Sequence, residues 1–252
     1  MLKDLPIYIP LGFFLIVLTS LILLYQVLIR SKLEKIQRRA KFVLLGIVIW
    51  LSVQAYLGYI GFYSSNTMTL PPRMMLILLP PSLVMPCLFL TSRGRAFIDS
   101  LSLLPLTLIH LLRLPIELIL YGLALYKFIP ELMTFEGRNF DILVGLTAPL
   151  VAYFGFVKPR ISFWGLVLWN VFSFALLINI MVNGILSAPS ILQQFAFEQP
   201  NVAVYHFPFC WLPAFMVPLI LFSHMASFRL LRQMKTASEF NAVSGAQYIS
   251  GE

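Results

Sequence analysis

The chain has 252 residues, 60% of them hydrophobic and only 11% charged, with a net charge of +8. A mean hydropathy of +0.88 is more apolar side chain than a soluble domain of this length can bury, which excludes a water-soluble globular fold. The basic excess reads as a determinant of membrane topology and not as a nucleic-acid surface. Attraction of the segment 30–41 to anionic headgroups is a secondary, unspecific consequence.

A helix needs about 20 apolar residues to cross a hydrocarbon core of roughly 30 Å. Seven stretches qualify: 7–29, 42–63, 72–91, 98–128, 142–157, 163–186 and 207–227. The fold class predicted is all-α, a polytopic membrane bundle of seven transmembrane helices occupying 1–235. The small polar residues of 236–252 predict a disordered cytoplasmic tail. Charge sets the orientation. Arg30, Lys32, Lys35, Arg38, Arg39, Lys41, Arg93, Arg95, Lys158, Arg160, Arg229, Arg232 and Lys235 are thirteen of the eighteen basic residues. All fall on one side if there are seven spans, while the opposite loops carry only Lys3, Arg73 and Arg138. The positive-inside rule then places the N-terminus outside and the C-terminus inside.

The first helix is too long for a cleavable signal, and its basic charges follow instead of preceding it. The second carries Gln54, Tyr56 and Tyr59, which are either cavity-lining or interhelical glue. The third reads Pro81-Ser-Leu-Val-Met-Pro86-Cys-Leu-Phe-Leu-Thr91. The seventh has the same spacing in Pro213-Ala-Phe-Met-Val-Pro218-Leu-Ile-Leu-Phe-Ser223. Paired interrupted helices point to binding sites in transporters, but helices one and five, and two and six, show no matching similarity, so the spacing reads as chance. Cys87 falls near the inner end of helix three and Cys210 near the outer end of helix seven, too far apart for a disulfide.

Helix four holds the sharpest clue. In Leu111-Leu112-Arg113-Leu114-Pro115-Ile116-Glu117 two opposite charges stand four residues apart in an apolar run. Charges near the bilayer centre cost roughly 2.5–3.5 kcal/mol each on insertion scales, and intramembrane ionisable groups are functional-site candidates by default. At about 100° per residue, Asp99, His110, Arg113, Glu117 and Tyr121 lie within an arc of roughly 80°. Pro105 and Pro115 predict two kinks in the same helix. Glu before a basic residue is the better intrahelical order, so each charge wants a further partner. Two readings stand: an ion pair locking helices together, or a polar cavity for substrate, ions or protons. Asn170, Asn179 and Asn183 on helix six line that cavity or act as glue.

Two outer loops follow. In Phe135-Glu-Gly-Arg-Asn-Phe-Asp141, Glu136, Arg138 and Asp141 form with Glu198 of the second loop an outer mouth, and Arg138 is expected to pair with one of these carboxylates. The second loop, 187–201, begins like a helix with Ser187 before Pro189. Its Ile191, Leu192, Phe195 and Phe197 suit either a short interfacial helix or lid or a plain connection. The strings NGILSAPSILQQFAFEQPN and EGRNFDILVGLTAP resemble a family of bacterial seven-helix integral membrane proteins with no established activity. The resemblance covers helices four to seven better than one to three. It implies a multi-pass protein of the bacterial inner membrane.

No metal, cofactor or catalytic residue is assigned. His206 and His224 stand about 27 Å apart along one helix, and His110 lies at mid-depth, so the three do not share a zinc. Helix seven has no lysine for a Schiff base, and receptor-type Asp-Arg-Tyr, Pro-Gln, glycine-loop and Gly-x-Ser-x-Gly patterns are missing. The function predicted is small-molecule binding, as a transporter or a sensor, at a midplane site made of His110, Arg113, Glu117, Tyr121, Asn179 and Asn183. A small anionic or amphipathic ligand would meet Arg113, and Glu117 would carry a proton. The alternatives are an intramembrane enzyme acting on lipid, with Glu117 and His110, or a non-catalytic subunit of a membrane complex. The partners implied are the lipid bilayer, that ligand and a membrane protein, with no nucleic acid.

Overall fold

The computed structural model describes residues 2 and 4–249, with side chains through Lys235, and among these residues helices are the only regular elements. The disordered tail expected over 236–252 falls outside the described side chains. Helix α1 (Tyr8–Ile29) is followed by α2 (Glu34–Tyr59). Next, α3 (Met75–Leu90) meets α4 (Ser92–Asp99) at a bend of 85°. Then α5 (Leu103–Ile109), a 3-10 turn (His110–Leu112) and α6 (Arg113–Leu125) form one broken helix. Helix α7 (Asp141–Ala152) runs into a π turn (Tyr153–Val157), and α8 (Phe163–Leu186) follows. A second π turn (Leu212–Met216) opens α9 (Val217–Ile249).

Five segments, Tyr8–Ile29, Glu34–Tyr59, Leu103–Leu125, Phe163–Leu186 and Leu212–Lys235, are long and apolar enough to cross a membrane, and a sixth is added if the bent α3–α4 pair counts as one span. The stretch expected over 142–157 is a shorter apolar helix, Asp141–Val157. The stretch expected over 98–128 starts later, because Asp99 closes α4 and Ser102 is extended. Pro105, the third residue of α5, lacks an N–H where no intrahelical partner exists anyway, so it starts a helix more readily than it continues one.

Two local devices shape the bend. Thr91 is extended, and its Oγ1 accepts from Gly94 N at 3.1 Å, capping α4. A Cβ on Gly94 would lie 2.4 Å from Leu88 O, so only glycine lets the chain fold back this closely.

The broken helix α5–α6 and α9 are the inner elements. Burial takes 61% of the apolar window of Leu103–Leu125 and 67% of that of Leu212–Lys235, against 17% in α2 and 22% in α8. Helix α1 packs on α5 and α6, α7 packs on both as well, and α9 packs on α5 and α8. On α2 the side chains of Phe42, Leu45, Val48, Ile49 and Val53 face outward. An apolar surface of that extent is what lipid covers in a spanning helix.

The two ends of the bundle differ. At one end Lys32 N donates to Ser100 O at 2.8 Å, and Arg229 holds Asp99 through two bonds of 2.6 and 2.7 Å. Lys235 Nζ lies 5.2 Å from the Trp164 ring there. Asp99 therefore ties α4 to α9 and has no part in a stripe with Arg113. At the other end the loops 126–140 and 187–211 bind one another: Gln199 Nε2 donates to Ile129 O at 2.6 Å, and the amides of Val202 and Ala203 donate to Phe128 O at 3.1 Å. The short helix considered for 187–201 does not form. Gln194 N donates back to Leu186 O at 2.8 Å, and Asn201 N to Ser187 O at 2.9 Å, which closes a compact connection instead.

Candidate functional site

The break inside α5–α6 has a local cause. Pro115 has no N–H to give Leu111 O, and its ring crowds that carbonyl, so the turn before it tightens to a 3-10 turn over His110–Leu112. Arg113 leaves this break with 1% exposure, in the interior of the bundle. Its partner is Asp141, not Glu117. Arg113 Nε donates to Asp141 Oδ2 at 2.9 Å, and Nη2 donates to Asp141 Oδ1, a bidentate fork. The other terminal nitrogen, Nη1, donates to Ser173 O at 3.0 Å and meets His224 Nε2 at 3.3 Å.

The helix spacing explains how Asp141 reaches this depth. Gly145 of α7 abuts Leu114 so closely that a Cβ would lie 2.4 Å from Leu114 N. One turn toward the start of the helix, Asp141 comes level with Arg113 and Glu117. It stands in the first turn of α7, where the partial positive charge of the helix end favours a carboxylate. Asp141 was expected at the outer mouth. It is instead buried at 5% exposure, because the segment before it dips inward with Thr134 and Asn139 at 0%.

Asn139 joins the two acids. Its Oδ1 accepts from Asp141 N at 3.2 Å, and its Nδ2 donates to Glu117 Oε1 and to Met133 O. On the other side, Asn170 brackets His224. Its Nδ2 donates to His224 O at 3.3 Å, and its Oδ1 lies 2.6 Å from His224 Nδ1. Arginine only donates, so His224 Nε2 must accept and Nδ1 must carry the proton that Asn170 Oδ1 receives. The bonding thus selects one neutral tautomer of His224.

Four buried atoms of the cluster have no hydrogen-bond partner among the described residues: Nδ1 and Nε2 of His110, Oε2 of Glu117 and Oγ of Ser173. The ring of His110 lies 4.0 Å from that of His224 and 5.6 Å, edge-on, from that of Trp169. Buried polar atoms are nearly always paired, and an orphan costs about 1–3 kcal/mol. Four around one arginine is a concentration that helix packing alone does not require.

The remaining expected residues lie apart. Tyr121 is half-buried, with its ring 4.9 Å from that of Phe135. Asn183 Nδ2 donates to Asn179 Oδ1 at 3.2 Å, and Asn179 Nδ2 to Arg138 O at 2.7 Å, so this pair anchors the outer loop. Glu136, Arg138 and Glu198 are exposed. Three ion pairs occur among the described residues, and none involves Arg138: its guanidinium does not tie the outer loops, a task done by the Asn179 and Gln199 amides. An exposed pair contributes only about 0–1 kcal/mol, too little to order two loops.

The cluster contains Asn139, Asn170, Ser173 and His224 beyond the residues expected. His224 had a readable signal, as the lone ionisable group in the apolar run of 212–228. Its stacking on His110 overturns the separation of the histidines inferred from helix seven alone. Among the described residues, no three His, Cys, Asp or Glu side chains are grouped to hold a metal ion.

Fold and site together define an all-α protein whose long apolar helices fit an integral membrane protein, with a charged hydrogen-bonded cluster sealed inside it. A family model described as a domain of unknown function (DUF8737) matches residues 70–232, more than half of the chain, and the chain belongs to that family. The matched region runs from the start of α3 through the described part of α9, so it contains every member of the cluster. No curated protein and no solved structure matches the chain.

Proposed function

We propose that this is a seven-span bacterial inner-membrane protein, N-terminus outside and C-terminus inside, that binds a small anionic ligand at Arg113 as a transporter or a sensor. The orientation rests on the basic segments sharing one end of the bundle, joined by the Lys32–Ser100 and Arg229–Asp99 contacts. The functional reading rests on one observation. Titratable atoms of His110 and Glu117 lie buried and unpartnered beside an arginine whose own donors are all engaged. In this conformer Asp141 occupies the place that a ligand carboxylate would take. Exchange keeps the charge balanced if Asp141 or Glu117 gains a proton as the anion arrives, which couples ligand to proton. The exposed Glu136, Arg138 and Glu198 would stand at the entrance, with Tyr121, Asn179 and Asn183 beneath them.

The test is Glu117→Gln. Its amide oxygen still accepts from Asn139, so the protein folds with a melting temperature near wild type. The binding or growth phenotype in the native host is lost, because the amide carries no titrating proton. A variant that is both folded and fully active removes Glu117 from the function. A second reading, a subunit of a larger membrane complex, has support in α2, whose apolar window is only 17% buried. An enzyme acting on lipid would need access from the bilayer to Glu117 and His110, whose exposures are 1% and 0%.

A further inference from the structure

A second cavity lies away from Arg113, under the outer loop. It measures about 80 Å³ and is walled by α3, α8, the 3-10 turn around Met133 and the π turn that opens α9. Its deep wall is formed by Met74, Ile77, Met133 and Tyr205, all buried. Leu78, Met181 and Ile185, facing one another across α3 and α8, are half-buried and form its mouth. α3 and α8 flank this opening without packing on one another. No lining residue is charged.

One polar atom breaks the apolar lining. Asn201 is 1% exposed, and its Nδ2 donates to Gly184 O at 3.1 Å. That bond fixes the amide orientation, since a carbonyl cannot accept from the amide oxygen. Asn201 Oδ1 is left with no partner among the described residues. Tyr205, on the same wall, already gives its hydroxyl proton to Pro189 O at 2.7 Å. The cavity therefore offers one unsatisfied acceptor in hydrocarbon. A water there would find few partners, whereas buried waters typically make about three hydrogen bonds.

We propose that this cavity binds the head of a single-chain lipid alcohol. The hydroxyl donates to Asn201 Oδ1, the first carbons fill the space beside Met74 and Met133, and the rest of the chain leaves between α3 and α8 into the bilayer. Size limits the occupant: the space is about half of the ~150 Å³ that takes a benzene molecule, so it admits a hydroxyl and a few carbons, not a phosphorylated headgroup. Chemistry limits it too, because a carboxylate or phosphate would meet an acceptor and no cation. Methionine-rich walls adapt to an irregular chain. The site shares no residue with the Arg113 cluster, so either proposal stands or falls alone.

The experiment uses the full-length protein in lipid nanodiscs and a long-chain alcohol bearing a photoreactive diazirine at its tail. Crosslinks are expected on α3 and α8, displaced by lauryl alcohol about ten-fold better than by lauryl methyl ether, the worth of one hydrogen bond in an apolar site. Gly184→Leu fills the cavity while its Cβ meets only Met133 Cε at 3.4 Å and Asn201 Nδ2 at 3.9 Å. It should abolish the specific crosslink. Asn201→Leu should equalise the alcohol and the ether. Equal competition by both compounds in the wild type, as a trapped water on Asn201 would give, overturns the proposal. So does a crosslink that survives Gly184→Leu. The wild-type comparison decides even if Asn201→Leu fails to fold.

Discussion

Arg113 is held by three other segments at once: α7 through Asp141, α8 through Ser173 O and α9 through His224. Removing one member of a buried pair strands the other, at about 3–5 kcal/mol, whereas replacing both by apolar residues is often neutral. The pairing therefore has a signature. Arg113→Leu and Asp141→Leu should each destabilise by about that amount, and the double variant should recover most of it. Arg113→Leu combined with Glu117→Leu should not recover, because Asp141 stays buried without its cation. Denaturation of the purified variants in detergent measures this, and rescue by Glu117→Leu in place of Asp141→Leu would show that the wrong acid has been paired. His110 gives the opposite sign. His110→Phe keeps the ring contact with Trp169 and removes two orphan nitrogens. It should stabilise by about 1–2 kcal/mol while impairing function, the trade-off expected where a strained site is in use. A loss of stability in His110→Phe would mean that the imidazole has a partner in the folded protein. A charge in an apolar run announces itself, which is why Arg113, Glu117 and His110 were legible in the sequence. The partner of Arg113 was not, since an acid at the edge of a hydrophobic stretch reads as a headgroup residue until something shows the preceding loop dipping inward.

The elements were legible to the degree that hydropathy reports them. The apolar windows of α1, α2, α5–α6, α8 and α9 follow from composition alone. The break at His110–Leu112 follows from Pro115. The separation of α4 from α5 does not, because Asp99 and the residues after it continue an apolar count without a gap, and only the Arg229 fork and the extended Ser102 show the division. Depth was the hidden quantity for α7. It is set by contact between Gly145 and Leu114, a backbone approach that no hydrophobic pattern encodes. Gly145→Ala tests it. The added Cβ lies 2.4 Å from Leu114 N and 2.7 Å from Leu114 Cβ, and backbone cannot swing aside. α7 must move off α6, at about 1–3 kcal/mol, the usual cost of overpacking. The same shift should loosen the Arg113–Asp141 fork, so Gly145→Ala and Asp141→Leu should be non-additive in a double-mutant cycle. Additive effects, or a neutral Gly145→Ala, would place the depth of α7 under other control.

At the scale of the whole molecule, the open question is whether seven helical segments make seven spans. Two are short: α3 has 16 residues before its bend, and Asp141–Val157 has 17. At about 1.5 Å per residue each reaches roughly 24–26 Å, slightly less than the hydrocarbon core of roughly 30 Å. A short helix is tolerated where its open end is buried in protein, and the start of α7 meets that condition, because Asn139 and Arg113 satisfy the polar groups around Asp141. Seven spans place Met68 and Glu198 on one side and Lys35 and Arg160 on the other, and all four are exposed. Exposed Cys87 is first replaced by serine, so that single cysteines can be read against buried Cys210. Met68→Cys and Glu198→Cys should then react with an impermeant maleimide on intact cells. Lys35→Cys and Arg160→Cys should react only after the membrane is opened. If α3–α4 were re-entrant instead of crossing, Met68 and Arg160 would still lie on opposite sides of the bundle only with a compensating loss of the Asp141–Val157 span. An added cysteine at exposed Arg93 separates the cases: labelling with Lys35→Cys supports a crossing α3, and labelling with Met68→Cys makes it a hairpin and reduces the bundle to fewer spans.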